Sequence, residues 1–266
     1  MIRRIIYGLL SIFLFAAGAL GQTNFKQSLT DCGFAGSVTV YDYKNQKWIT
    51  SDSIDAAIPN VPASTFKIIN LLIALETGVI SDEQDTVKWI GEINEDLYMH
   101  RPSTYKDMTV KEAFEVSAGW VFMELAKKIG REKYLYYLEA CGYGNRQVND
   151  EPDFWNFGPL AISPRNQIEF LMNVYEGETP FSQRNIEILK RVMINEKNDK
   201  YILRAKTGWG SQDQKDIGWW VGYVEKKDNV YFFSTRITKG KEDNNPNFKE
   251  CRIDIARNAL QKIGVF

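Results

Sequence analysis

The chain has 266 residues, with 33 basic against 34 acidic side chains, a net charge of −1 and 13% aromatic residues. That length holds one or two domains with a sizeable apolar core. The balanced charge offers no basic face for nucleic acid, and the single histidine, His100, excludes a multi-histidine zinc site.

Arg3 and Arg4 precede an apolar run over residues 5–20, and Ala19-Leu20-Gly21 is a small-x-small cleavage signal. Residues 1–21 therefore read as a secretory signal peptide; the competing reading is an uncleaved anchor, for which the run is short. No cysteine follows the cleavage site, which argues against a lipoprotein. Cleavage leaves residues 22–266 as the mature chain. It also drops the basic count from 33 to 31 against 34 acidic residues, a net charge of −3. The expectation is a periplasmic or secreted protein with no stable membrane association.

Residues 36–43 alternate apolar and polar side chains, turn at Lys44-Asn45-Gln46 and return over 47–50 as a hairpin. Pro62 stands at a helix-start position just before Ser64. Residues 66–75 have the density of a buried helix, with Gly78 as its C-cap. Residues of about 81–196 read as mainly helical, over 110–116, 121–129, 131–140, 166–175 and 183–193, punctuated by Gly130, Gly142 and Gly177. Strands return at 203–207, 217–224 and 230–237, with 226–229 as a turn. Residues 251–263 close the chain as an amphipathic helix. This order predicts an α/β (α+β sandwich) architecture, an antiparallel sheet flanked by helices plus a mainly helical subdomain. Such a layout leaves a cleft suited to a small molecule. Cys32, Cys141 and Cys251 are an odd count, so at least one stays reduced or pairs between molecules. None lies near another, and all three are expected as buried, small apolar residues.

The chemistry concentrates at Ser64-Thr65-Phe66-Lys67. Ser-x-x-Lys on a helix puts a hydroxyl and an amine on one face, a nucleophile beside a base with no histidine needed. Ser64 at a helix N-terminus favours a developing oxyanion. Phe66, Ile68 and Ile69 around Lys67 disfavour the ammonium. A second match, Ser103-Thr104-Tyr105-Lys106, lies in a polar segment and reads as a turn cap. Lys206-Thr207-Gly208 ends a strand with a positive charge, a hydroxyl and a glycine that leaves room for a ligand carboxylate. Together the two motifs form the penicillin-recognising signature.

With Ile73-Ala74-Leu75-Glu76-Thr77-Gly78, Tyr143-Gly144-Asn145, Phe154-Trp155 and Trp219-Trp220-Val221-Gly222, the chain resembles the class D, oxacillinase-type serine β-lactamases over nearly all of its mature length. The resemblance implies the penicillin-recognising serine enzyme fold and hydrolysis of β-lactam antibiotics. Ser64 matches the acylated nucleophile, and Lys67 the lysine that takes up CO2 as N6-carboxylysine and serves as general base for acylation and deacylation. Trp155 matches the indole that hydrogen-bonds this carbamate, and Ser117 the serine that relays a proton to the leaving nitrogen. The backbone N–H groups of Ser64 and Trp209 match the oxyanion hole. Ser117, Lys206, Thr207, Gly208, Trp209 and Arg252 match the substrate-binding set, with Arg252 the carboxylate arginine. No metal and no cofactor beyond CO2 or bicarbonate is implied; the partners are β-lactam small molecules, with the protein a monomer or a homodimer.

Two positions depart from the pattern. Where the family has Ser-x-Val this chain has Ser117-Ala118-Gly119, and where leucine follows the tryptophan it has Asn156. Gly119 and Asn156 should make the lysine pocket wetter and roomier, with Trp120 filling part of the lost volume. Either deacylation speeds up or the carbamate dissociates more readily. The rival functions are a non-hydrolysing β-lactam sensor domain and a D-Ala-D-Ala peptidase built on the same serine.

Overall fold

The computed structural model describes residues 22–94 and 100–266; the signal-peptide reading of 1–21 lies outside the described residues. Helix α1 (Gln22–Cys32) leads into β1 (Ala35–Asp42) and β2 (Lys47–Thr50). Next come α2 (Lys67–Glu76), a two-residue pair of strands β3 (Thr86–Val87) and β4 (Met108–Thr109), and the helices α3 (Val110–Glu115), α4 (Gly119–Ile129) and α5 (Arg131–Ala140). Helices α6 (Pro164–Glu176) and α7 (Gln183–Val192) precede β5 (Ile194–Lys197), β6 (Ile202–Gln212), β7 (Lys215–Glu225), β8 (Val230–Gly240) and α8 (Phe248–Lys262). Local signals set several of these ends. The Thr109 and Ser163 side chains cap α3 and α6, and Gly177 closes α6 in the left-handed region.

Six strands form one antiparallel sheet in the order β2-β1-β8-β7-β6-β5. The β7 side chains alternate between two cores, as a two-residue period requires. Trp219, Val221 and Tyr223 face the large core built on α2 and the helical block. Trp220 and Val224 face a second core, where α1 and α8 contribute Phe25, Leu29, Ile255 and Leu260. The expected α+β sandwich is present.

Three expectations need correction. The cysteines are not all reduced: Cys32 and Cys251 form a disulfide across 219 residues, and only Cys141 is free. The pairing follows from α1, for which the sequence reading had no element; α1 packs against α8 and carries Cys32 there. Second, β6 and β7 run longer than expected, joined by the two-residue turn Asp213-Gln214 with φ of 50° and 60°. Asn-Gly or Asp-Gly would announce such a turn; Asp-Gln does not. Third, Ser64 is not on the α-helix but in a 3-10 turn, Ala63–Phe66, immediately before α2. Ala63, with φ +49°, opens that turn.

Candidate active site

The Ser64 turn is held from several sides. Trp155 O accepts from Ala63 N–H at 3.1 Å, the Trp219 indole donates to Val61 O at 2.9 Å, and Gln212 Oε1 accepts from Val61 N–H at 3.0 Å. A left-handed alanine costs about 1–2 kcal/mol and persists only where its surroundings over-determine it. Phe66 fills the space behind the turn, stacked on Trp155 at 4.9 Å and edge-on to Tyr143 and Phe154. The motif residues Tyr143 and Trp155 thus converge on the side chain next to Lys67. Gly144 supports them with φ +56°; a Cβ there would meet Ala161 O at 2.3 Å.

Lys67 Nζ donates to Ser64 Oγ at 2.9 Å, although Ser64 belongs to the turn and Lys67 to α2. Lys67 is 1% exposed. Burial pulls its amine down to about 8, Asp153 opposes this, and Arg101 adds to it. Trp155 is fully buried, and its Nε1–H has no partner. A donor-only N–H stranded in a core is costly and fits an anionic acceptor on the neighbouring lysine.

Lys206 Nζ donates to Ser117 Oγ at 3.0 Å. Burial, then Lys67, Arg252 and Arg101, hold the Lys206 amine well below its ordinary range. Ser117 has φ +59°, strain of the kind that collects at reacting groups. Beyond Arg204 the edge of β6 is free of β5 and faces the Ser64 turn. Ala205 N–H crosses that edge to Met193 O. By the two-residue alternation, Trp209 N–H points to the same edge, towards Ser64.

Gly208 has a packing reason. A Cβ there would meet Pro62 O and Thr65 Cγ2 at 3.1 Å, so glycine lets the strand approach the nucleophile turn. This differs from the expected role of making room for a ligand carboxylate. Arg252 is buried on α8 behind the strand, donating to Gly208 O and Lys249 O, with Trp209 above it at 5.9 Å. Its guanidinium is lowered to about 10, mainly by burial.

A cavity of about 390 Å³ brings these groups together, lined by Ser64, Lys67, Ser117, Gly119, Asn156 and Trp209 among others. Lys206 reaches it through Ser117, and Arg252 stays behind Gly208. Trp120 also lines it, its indole donating to Thr104 O at 2.8 Å. Two further groups escaped the sequence reading. Arg101 lines the cavity and donates to Val116 O at 2.6 Å; a lone arginine before a proline gives no signal. Asp153 is buried beside the lysine pocket; its signal was an acid next to the apolar Phe154-Trp155 pair. The second Ser-x-x-Lys forms a turn in which Ser103 is exposed and Lys106 pairs with Glu112 at 2.8 Å, while Thr104 is buried and lines the cavity with Tyr105.

A family profile described as the penicillin binding protein transpeptidase domain matches residues 21–260. The chain is 37% identical to β-lactamase OXA-48 of Klebsiella pneumoniae, over 78% of this chain and 77% of that one. It is 32% identical to β-lactamase OXA-10 of Pseudomonas aeruginosa over 91% of both. Among solved structures, a class D β-lactamase from Sebaldella termitidis superimposes with a TM-score of 0.86 at 41% identity, covering 91% of this chain and 96% of that one. A class D β-lactamase from Nostoc gives 0.85 at 38%, over 91% and 99%.

Proposed function

The chain belongs to the class D β-lactamases, and from that premise we infer that it hydrolyses β-lactams through an acyl-enzyme on Ser64. The observation that carries this reading is the Lys67–Ser64 hydrogen bond inside a cavity that also holds the Lys206–Ser117 pair.

The Lys67 side chain takes the hydroxyl proton as Ser64 Oγ attacks the lactam carbonyl. The developing oxyanion is met by the N–H groups of Ser64 and Trp209, a contribution of about 10²–10³ in rate. Ser117, hydrogen-bonded to Lys206, delivers a proton to the ring nitrogen as the C–N bond breaks and recovers the Ser64 proton from the Lys67 side chain, which is then free to act again. Thr207, Gly208 and Arg252 support the strand against which the substrate carboxylate rests. Water then adds to the ester and gives a proton to the Lys67 side chain, which returns it to Ser64 Oγ as the ester bond breaks. CO2 bound to Lys67 supplies an anionic oxygen base for these transfers, with Trp155 Nε1–H as the donor that would hold it. The low-lying amine of Lys67 and the unpartnered indole support that fit.

The protein acts on small molecules as one catalytic unit over 22–266, after export and removal of the leader. No helix among the described residues is long and apolar enough to cross a membrane. The test is intact mass against time for residues 22–266 with benzylpenicillin in bicarbonate buffer. A mass gain that disappears as substrate is consumed, and is absent in Ser64→Ala, is expected. A gain persisting for hours would replace the hydrolase reading with a sensor or peptidase.

A further inference from the structure

Residues 152–157 form a tight turn at the edge of the catalytic cavity. Asp153 O accepts from the backbone N–H of Asn156 at 3.0 Å and of Phe157 at 3.3 Å. Within the turn, Asn156 Nδ2 donates to Asp153 Oδ1 at 2.8 Å. Asp153 is 6% exposed, and its Oδ2 has no partner. Asn156 lines the catalytic cavity with Ser64 and Lys67. Asp153 borders a neighbouring cavity with Glu92 and Glu151. The carboxamide of Asn156 therefore stands between a buried carboxylate and the reacting serine.

A carboxylate offers only acceptors, so it takes the NH2 end of the carboxamide. The carboxamide oxygen is the end left for the catalytic cavity. Resting on the hydrolase reading above, we propose that Asp153 and Asn156 act as one unit. Asp153 is the positioning residue, and it holds the Asn156 carboxamide oxygen as an acceptor for the water that clears the acyl-enzyme. That water has two protons. One passes to the Lys67 side chain as the oxygen adds to the ester carbonyl; the other is held by Asn156 until the Ser64 ester bond breaks. A polar residue where the family carries leucine thereby becomes a device for ordering the nucleophile of the second step.

The unit is sensitive to the charge of Asp153. Burial pushes its carboxyl up to about 7, against the hydrogen bond from Asn156 and the attraction of Lys67. Arg101 bears on the same lysine, and Glu92 and Glu151 share the cavity behind Asp153. Above pH 7 the carboxylate fixes the amide. Below it, the protonated acid donates, favours the amide oxygen, and turns the NH2 group to the cavity.

The test is a single-turnover mass measurement with benzylpenicillin at pH 6 and pH 8, on the parent protein, Asp153→Asn, Asn156→Leu and the double variant. Acyl-enzyme should still form in all four, and no slower in Asp153→Asn, where loss of a charge that favours the Lys67 ammonium leaves more neutral amine. Its decay should slow about tenfold in Asp153→Asn and about a hundredfold in Asn156→Leu, the scale set by misplacing a reacting group. The double variant should be no slower than Asn156→Leu. The decay of Asp153→Asn should lose its dependence on pH around 7, while its melting temperature at pH 8 does not fall, because a buried carboxylate with one unpartnered oxygen has become a neutral amide. Decay at or above the parental rate in the single variants, or losses that multiply in the double variant, would overturn the proposal and leave the hydrolase reading standing. No mass gain on the parent protein would overturn both.

Discussion

Lys67 Nζ lies 2.9 Å from Ser64 Oγ, yet its burial works against the charge of the amine, and Asp153 only partly opposes this. Burial dominates, and Arg101 adds to it. A lysine lowered to about 8 is neutral above that pH and cationic below it. In CO2-depleted buffer the acylation rate should therefore rise with pH through a midpoint near 8 and be lost as pH falls. Added bicarbonate should raise the plateau. Lys67→Ala should cost about 10²–10⁴ in acylation, and bicarbonate should not rescue it. Rapid turnover by that variant would remove Lys67 from the mechanism.

Ser117 combines a left-handed backbone with a hydroxyl that accepts from Lys206. The two roles separate by substitution. Ser117→Gly relieves the φ penalty of about 1–2 kcal/mol, partly offset by about 0.5–1 kcal/mol of glycine chain entropy, so stability should hold or rise slightly. Activity should fall by about 10²–10⁴ as the proton relay is lost. Ser117→Ala should lose similar activity without the gain in stability. Thermal melts and steady-state kinetics on the pair decide; full activity in either would exclude the relay.

Trp155 packs flat on Phe66 while its N–H finds no partner. Trp155→Phe keeps most of the ring contact and removes the stranded donor. Without bound CO2 the variant should melt no lower than the parent. It should also need more bicarbonate for half-maximal turnover, because the donor that favours the anion is gone. Titrating activity against bicarbonate compares the two proteins directly; coincident curves would mean that the indole N–H has no part in holding the carbamate.

The Cys32–Cys251 disulfide joins α1 to α8. Disulfides typically contribute about 2–4 kcal/mol, which corresponds to roughly 5–15 °C in a protein of this size. Cys32→Ser, or reductant on the parent protein, should lower the melting temperature by that amount. Acylation of Ser64 should continue below the new midpoint, because neither cysteine lines the cavity.

The sequence made the long, strongly patterned parts legible. Apolar density over 66–75 marked α2, the alternation over 36–43 marked β1, and Ser-x-x-Lys with Lys-Thr-Gly named groups that lie together in space. What stayed hidden was set by tertiary contact. Helix α1, with no acidic residue in its first turn and no basic one in its last, is stabilised by docking on α8. The Asp213-Gln214 turn is held by the ladder on either side, not by its own residues. Ala63 and Ser117 adopt left-handed backbones that no composition announces. Arg101 belongs to the site only because its guanidinium folds back onto Val116 O.

The register of β1 carries a consequence for how the chain is made. β1 finds its partner in β8, so Val38 waits for Thr235, and Cys32 waits for Cys251. During vectorial synthesis Ser64 and Lys67, the proposed nucleophile and base, emerge early. The strand that faces them, the neighbour that braces that strand and the covalent clasp all come from the last quarter of the chain. Pairings this distant are slow to form. A chain halted before β6 would hold Ser64 and Lys67, but not the framework that brings them into one cavity with Trp209.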